Sequence, residues 1–470
     1  MSDSFLGDDY LLSTETARTL FHGVAAELPI VDLHNHLPAA DIAADRVFAD
    51  LAELWLEDDH YKWRAMRLAG VEERLVTGDA EPWERFSTWA ATVPRLIRNP
   101  LYTWTHLELR RVFGIDLRLE PGTAREIWEE ANRQLTLLSA RELLARFGVA
   151  ALATTDDPAD DLAAHRALRE EAREPLVIPT FRPDAAHGLL GDLPGWNAWV
   201  DRVGLDAGLV VDDLASLLSA LTGCHERFVA VGGRASDHGL SRLPDAPREP
   251  AAADAAVRAA RRGDPVSAAG VDAVLLEVVS LAARLAFESE GVLQLHLGPR
   301  RDLSPRLLAE VGRDAGADSI GDEPQAAGLA RLLGELERDG ALPRVVLYNA
   351  NPCDNALFAS IAGAFSRPGV ASLVQWGPPW WFNDHEDGMR RQFDDLSSIG
   401  QLAGFVGMVT DSRSLLSMTR HELFRRVLCD ALGRDVEAGR VPDDPELLAG
   451  LVEAVCGGNA RRFFGLPSGP

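Results

Sequence analysis

The stretch Leu28–His36, LPIVDLHNH, passes from an apolar run into a polar cluster within one short segment. It reads as a buried strand that delivers His34, Asn35 and His36 at its C-terminal end. The pattern returns in GVAALATTDD ending near Asp156, PLVIPTFRPD near Asp184, FVAVGGRASDH near His238 and GVLQLHLG near Gly298. It returns again in RVVLYNANP near Pro352, ASLVQWGP near Pro378 and GFVGMVTDSR near Arg413, with helix-like stretches between the runs. Eight strands joined by helices predict an α/β chain folded as a (β/α)8 TIM barrel, whose active site lies where the strands end. A doubly wound open sheet is the alternative. It would usually bring a glycine-rich phosphate loop after its first strand, and this chain has HNHLP there.

Two stretches exceed a simple connection. Residues 38–147 carry amphipathic helical patterning rich in Trp and Tyr, which predicts a large helical insertion after strand one. Residues 239–290, alanine- and arginine-rich, predict a second helical excursion after strand four. The expected organisation is therefore an N-terminal helix and first strand over 1–37, the insertion over 38–147, and the rest of the barrel over 148–470. Before the first strand, Ser13 or Thr14 is positioned to cap a helix reaching Ala26.

The 470 residues hold 47 Lys+Arg against 72 Asp+Glu, a formal charge of −25, which argues against a nucleic-acid partner. No apolar run approaches the roughly 20 residues that span a bilayer. Four scattered cysteines and an N-terminus without a basic start or apolar run predict a cytoplasmic chain rather than a disulfide-stapled secreted one. Lys62 is the sole lysine, and it lies on none of the predicted strands. That disfavours a metal pair bridged by a carboxylated strand lysine, a Schiff-base aldolase and a GK-type phosphate loop. No nucleotide or organic cofactor is expected.

On a strand, residues i and i+2 share a face, so His34 and His36 can turn toward the barrel mouth as a metal pair suited to Zn2+. A lone HxH is weak evidence, since two polar residues satisfied at a strand end give the same pattern. Asp411 ends the eighth run, beside the first strand once the barrel closes, and becomes the third ligand candidate. Its other reading is the N-cap of the following helix. Arg182 and Arg413 lie at the predicted mouth, where a guanidinium fork suits a carboxylate.

The motifs DLHNHL, WLEDDHYKWRAMRLAGV, NPLYTWTHLELRRVFGI, ATTDDP, FRPD, GGRASDHG, QLHLG, SIGD, WWFND, DGM and FVGMVTDSRS occur in this order. Together they resemble the uronate (glucuronate) isomerases of the amidohydrolase superfamily, over essentially the whole chain. The resemblance implies interconversion of D-glucuronate with D-fructuronate and of D-galacturonate with D-tagaturonate, in bacterial hexuronate catabolism. It also implies one divalent metal, usually zinc, on a (β/α)8 barrel.

By the same resemblance His60 opens the cyclic sugar, and Tyr61 paired with Arg413 moves the proton between C2 and C1. An arginine beside a phenol favours phenolate, and Asp411 is the competing base. For His60 and Tyr61 the plainer reading is a helix surface packed on the barrel. Asp237, His238, His296, Trp380 and Trp381 are substrate-binding candidates. Their structural alternatives are helix capping for Asp237, a core hydrogen bond for His296 and core packing for the tryptophans. Thr155, Asp156 and Asp157 read as loop and capping residues outside the site. A mononuclear metal hydrolase of a lactone, ester or amide and a non-enzymatic sugar-acid-binding scaffold are the competing functions. The partner is a small hexuronate; the resemblance leaves room for a homo-oligomer, without an interface signature. With a net charge of −25, attraction for an acidic sugar must be local, and Arg182, Arg413 and the divalent ion are expected to form a positive mouth.

Overall fold

The computed structural model describes residues 5–467. Nine strands are present among them: β1 Ile30–Asp32, β2 Val149–Asp156, β3 Leu176–Phe181, β4 Ala235–Leu240, β5 Val292–Leu297, β6 Pro299–Arg300, β7 Ser319–Ile320, β8 Arg344–Asn349 and β9 Val374–Trp376. Seven of them form one parallel sheet in the order β1-β2-β3-β4-β5-β8-β9, while β6 and β7 make a small antiparallel hairpin. The parallel strands are buried almost throughout, as strands covered by helices outside and by one another's side chains inside the curl must be.

The eighth run closes the curl without becoming a regular strand. Its backbone meets β1, with the Asp411 N–H donating to His34 O at 3.0 Å and the His36 N–H donating to Ser412 O at 2.9 Å. Toward β9 the link is a side chain, Gln375 Oε1 accepting from the Val406 N–H at 3.0 Å. Gly407 sits at φ +85°, outside the strand region, and this breaks the extended ladder. Inside the barrel, Asp32 accepts from both the backbone and the hydroxyl of Thr410, which fixes the run that carries Asp411.

Two local expectations are corrected. FVAVGGRASDH is not one strand: Phe228–Ala230 end the Leu214–Ala230 helix, and β4 begins only at Ala235 after the turn at Gly232 and Gly233. The first helix, capped by Thr14, ends at Gly23, and a short 3-10 turn over Ala25–Glu27 follows.

Residues 38–147 are helical, from Ala39–Ala43 to Ala140–Arg146. Within them the Asp59 carboxylate caps the His60–Leu68 helix by accepting from the Tyr61 and Lys62 N–H groups. Its other oxygen binds the ammonium of Lys62 at 2.5 Å, and both side chains are buried. The sole lysine therefore fixes the turn that presents His60 and Tyr61. After β4 come the helices Pro250–Arg261 and Ala268–Glu288. The four cysteines are free thiols, and no helix among the described residues is long and apolar enough to cross a membrane.

Gly407 is required twice over, by its positive φ and because a Cβ there would lie 2.2 Å from Val455 O. Gly439, at φ +68°, has open space around it. Gly407→Ala is expected to cost more than about 2 kcal/mol in urea unfolding and Gly439→Ala about 1 kcal/mol. Equal costs would remove the close approach from the account.

Candidate active site

A cavity of about 530 Å3 opens at the C-terminal ends of the strands. His34, His36 and Asp411 meet on its floor, with His34 Nε2 3.0 Å and His36 Nε2 3.1 Å from the same oxygen, Asp411 Oδ1. The other oxygen accepts from Trp380 Nε1 at 2.6 Å. Asp411 holds φ +49°, a strained value for a residue with a Cβ, and Trp381, Asp302 and Asp314 around the same cavity share this left-handed backbone.

Behind His34 lies a second layer. Asp237 is fully buried on β4; its Oδ1 is 2.7 Å from His296 Nδ1 and its Oδ2 3.1 Å from Arg182. Register sets the next contact, because His296 and Tyr348 are cross-strand partners on β5 and β8, and their rings stack at 4.0 Å. Asp184 is the hub of the third layer. It accepts from Arg182 Nε at 3.0 Å and the Gly239 N–H at 2.8 Å, and lies 2.9 Å from His238 Nδ1. Gly239 gives the guanidinium its seat, since a Cβ there would meet Arg182 Nη2 at 2.1 Å.

His60 reaches the cavity from the insertion, with the Tyr61 ring stacked on it at 4.7 Å. His60 Nδ1 lies 3.2 Å from Arg413 Nη1, and Arg413 Nη2 donates to Asp314 at 3.0 Å. A guanidinium only donates, so it selects the neutral His60 tautomer with its proton on Nε2. The Asp314 segment, between β6 and β7, is tied to the insertion by Arg64 donating to Asp318 O at 2.6 Å and by Arg67 donating to Ala315 O.

The sequence expectations divide here. His34, His36, His60, Arg182, His296, Trp380, Trp381, Asp411 and Arg413 all line the cavity. Asp237, His238 and Tyr61 do not; Asp237 and His238 are fully buried against Arg182, His296 and Asp184, and the Tyr61 hydroxyl is buried as well. The pairing of Tyr61 with Arg413 is corrected. Arg413 is engaged by His60 and Asp314, whereas the guanidinium over the Tyr61 ring is that of Arg420, at 5.4 Å. Thr155, Asp156 and Asp157, read as outside the site, line it. Sequence reasoning also missed Asp184 and Asp314. Asp184 stood in the FRPD motif, but nothing local marked it as the partner of a residue on β4.

Electrostatics follow from this crowding. Burial alone would push the His34 pKa down, but Asp237 and Asp411 outweigh it and hold it above the ordinary histidine value. Burial takes His36 down to about 4, only partly opposed by Asp411, and lowers His60, with Arg413 adding to the effect. Despite burial, the two imidazoles keep Asp411 well below the usual carboxylate range. Burial pushes the Tyr61 phenol well above 10, with Asp411 reinforcing it and Arg420 opposing it. The cavity lining holds four arginines and six aspartates, so the expected positive mouth does not come from side chains alone.

Three groups have donor atoms close enough to share an ion: His34–His36–Asp411, His34–Asp237–His296 and Asp184–His187–His238. Arg182 already lies against a carboxylate oxygen in the second and third. The first is free of such an ion pair, and its imidazole and carboxylate donors suit a borderline divalent ion.

The glucuronate isomerase family model matches residues 2–464. The chain belongs to the glucuronate isomerase family. It is 47% identical over 467 residues to the uronate isomerase of Solibacter usitatus, covering 98% of this chain and 99% of that one. It is 46% identical to the uronate isomerase of Vibrio vulnificus, with the same coverage of each chain. Among solved structures, the uronate isomerase of Thermotoga maritima superposes with a TM-score of 0.92 at 36% identity, covering 98% of this chain and 99% of that one. The glucuronate isomerase of Caulobacter crescentus gives 0.91 at 26% identity, covering 99% and 98%. Family membership and the seven-stranded parallel curl agree on a TIM-barrel-like fold.

Because His34 holds its proton more tightly than a free imidazole, a divalent ion must displace that proton to bind there. Zinc affinity, read by chelator competition, is expected to fall by up to about tenfold per unit as pH drops below the His34 pKa, and to level off above it. A pH-independent affinity would remove His34 from the ligand set.

Proposed function

We propose that the chain interconverts aldohexuronates and ketohexuronates, D-glucuronate with D-fructuronate and D-galacturonate with D-tagaturonate, by moving a proton between C2 and C1. The observation that carries the reading is the convergence of His34, His36 and Asp411 with His60 and Arg413 on one cavity floor and wall. An isomerase needs an electrophilic site for the two oxygens, a group that moves the proton and a clamp for the sugar acid. A hydrolase would have less use for His60 on the cavity wall with Tyr61 stacked against it.

His34, His36 and Asp411 would hold one divalent ion, most simply zinc, although another divalent ion fits the same donors. When bound, it would polarise the substrate oxygens and offset the two negative charges by which the lining aspartates exceed the arginines. The remaining work belongs to side chains. His60, hydrogen-bonding through its Nε2–H to the ring oxygen, assists opening of the cyclic sugar, in which the bond from C1 to the ring oxygen breaks as the anomeric hydroxyl gives up its proton and the ring oxygen gains one. Tyr61 holds and moves the proton between C2 and C1. Asp411 is the weaker candidate for that role, because its imidazole neighbours depress its basicity. Arg182, fixed by Asp184 and Asp237, and Arg413 steady the anionic substrate, with Trp380 and Trp381 as an apolar wall.

The test is incubation with glucuronate or galacturonate in deuterated water. The reading predicts ketose formation with solvent deuterium appearing at the proton-transfer carbons, and Tyr61→Phe losing at least about 100-fold in kcat. Turnover of a lactone with no ketose and no exchange would overturn it in favour of a hydrolase. Binding without turnover would leave only a sugar-acid-binding scaffold.

A further inference from the structure

Arg420 is a charged side chain in an unfavourable place. It lies in the first turn of the Thr419–Glu437 helix, where the helix dipole disfavours a cation, and it is only 1% exposed. Its guanidinium stacks on Trp104 at 3.9 Å and lies over the Tyr61 ring at 5.4 Å. It donates to Asp384 at 3.2 Å and to the carbonyl of Thr410, the residue before Asp411, at 3.0 Å. One guanidinium thus joins the insertion, the loop after β9, the closing run and the last barrel helix. A packed apolar residue would serve the helix better, so the charge itself calls for a reason.

The Tyr61 surroundings supply it. The hydroxyl is buried without a hydrogen-bond partner. The charged groups whose fields act on it are Asp411 from the closing run, Arg420 from the last barrel helix, Asp384 from the loop after β9 and Asp59 from the turn before its own helix. Three are acidic, and Arg420 is the cation that opposes them. Neutral His60 stacks on one face of the ring.

We propose that Arg420 is a positioning residue for the isomerisation, fixing a cation beneath Tyr61 so that the phenol can release and recover a proton. The inference rests on the proton-handling role of Tyr61 proposed above. In this arrangement Arg413 works with His60 at the mouth, and Arg420 does for Tyr61 what an adjacent arginine was expected to do. Burial and the three carboxylates resist phenolate formation, and without Arg420 the proton would leave only at higher pH.

The experiment compares kcat–pH profiles of the zinc-loaded wild type, Arg420→Met, Arg420→Lys, Asp384→Asn and Tyr61→Phe, with metal content and thermal unfolding measured on each. Arg420→Met is expected to lose about 100-fold in kcat at pH 7, with KM within about threefold of wild type, and its acid limb should move up by about one unit or more. Arg420→Lys should recover at least about tenfold of that loss. Asp384→Asn, which removes an opposing carboxylate but keeps a hydrogen-bonding side chain, should move the limb in the other direction. In a Tyr61→Phe background, Arg420→Met should cost little more.

An unmoved limb in both Arg420 variants, or losses that multiply with Tyr61→Phe, would make Arg420 structural only and overturn the proposal. If Arg420→Met does not fold, the limb positions of Arg420→Lys and Asp384→Asn decide, and equal positions reject it. Full activity in Tyr61→Phe would instead remove the role of Tyr61 on which the inference stands.

Discussion

Two backbone hydrogen bonds close this barrel where the site is built. They join the end of the eighth run to the end of the first strand, from Asp411 N–H to His34 O and from His36 N–H to Ser412 O. Residues 377 positions apart thereby place an imidazole and a carboxylate 3.0 Å from each other. The sheet does not supply this by a regular ladder, because Gly407 turns the run out of extended conformation. Asp32 and Thr410 hold the run from within, and Arg420 holds the Thr410 carbonyl from the other side. The candidate metal-ligand set is a product of closure, and local strain at Asp411 is tolerated because its neighbours on both sides fix it.

Around the floor, arginines organise the carboxylates. Arg182 is held by Asp184 and Asp237, and Arg413 by His60 and Asp314. Each guanidinium is thus preorganised before substrate arrives, at the cost of a site whose fixed charges do not sum to a positive mouth. Lys62, the single ammonium in the chain, is spent on the turn at Asp59. The division is physically reasonable, since a planar fork can bind two carboxylates at once and an ammonium behaves as a point charge.

Much of this was legible in the sequence, and the failures have physical causes. Apolar runs ending in polar clusters marked the strands, and period-two geometry placed His34 and His36 on one side. Asp237 and His238 are both substrate-binding candidates in the sequence reading, although adjacent strand residues cannot share a face, and neither lines the cavity. FVAV misled because a buried helix end and a buried strand have the same composition. Asp184, Asp314 and Asp384 stayed hidden because loop conformations bring them to their partners, and left-handed backbone at Asp314 is invisible to pattern reading. Arg420 lies outside every motif quoted from the sequence. Its place in the first turn, against the dipole, was the available signal.

The central claim is that closure builds one ion site from His34, His36 and Asp411. Anomalous diffraction at the zinc edge from crystals of the zinc-loaded protein tests it most directly. The account predicts a single strong peak within bonding distance of both imidazoles and the Asp411 carboxylate. A peak held by Asp237 and His296, or by Asp184, His187 and His238, would contradict it.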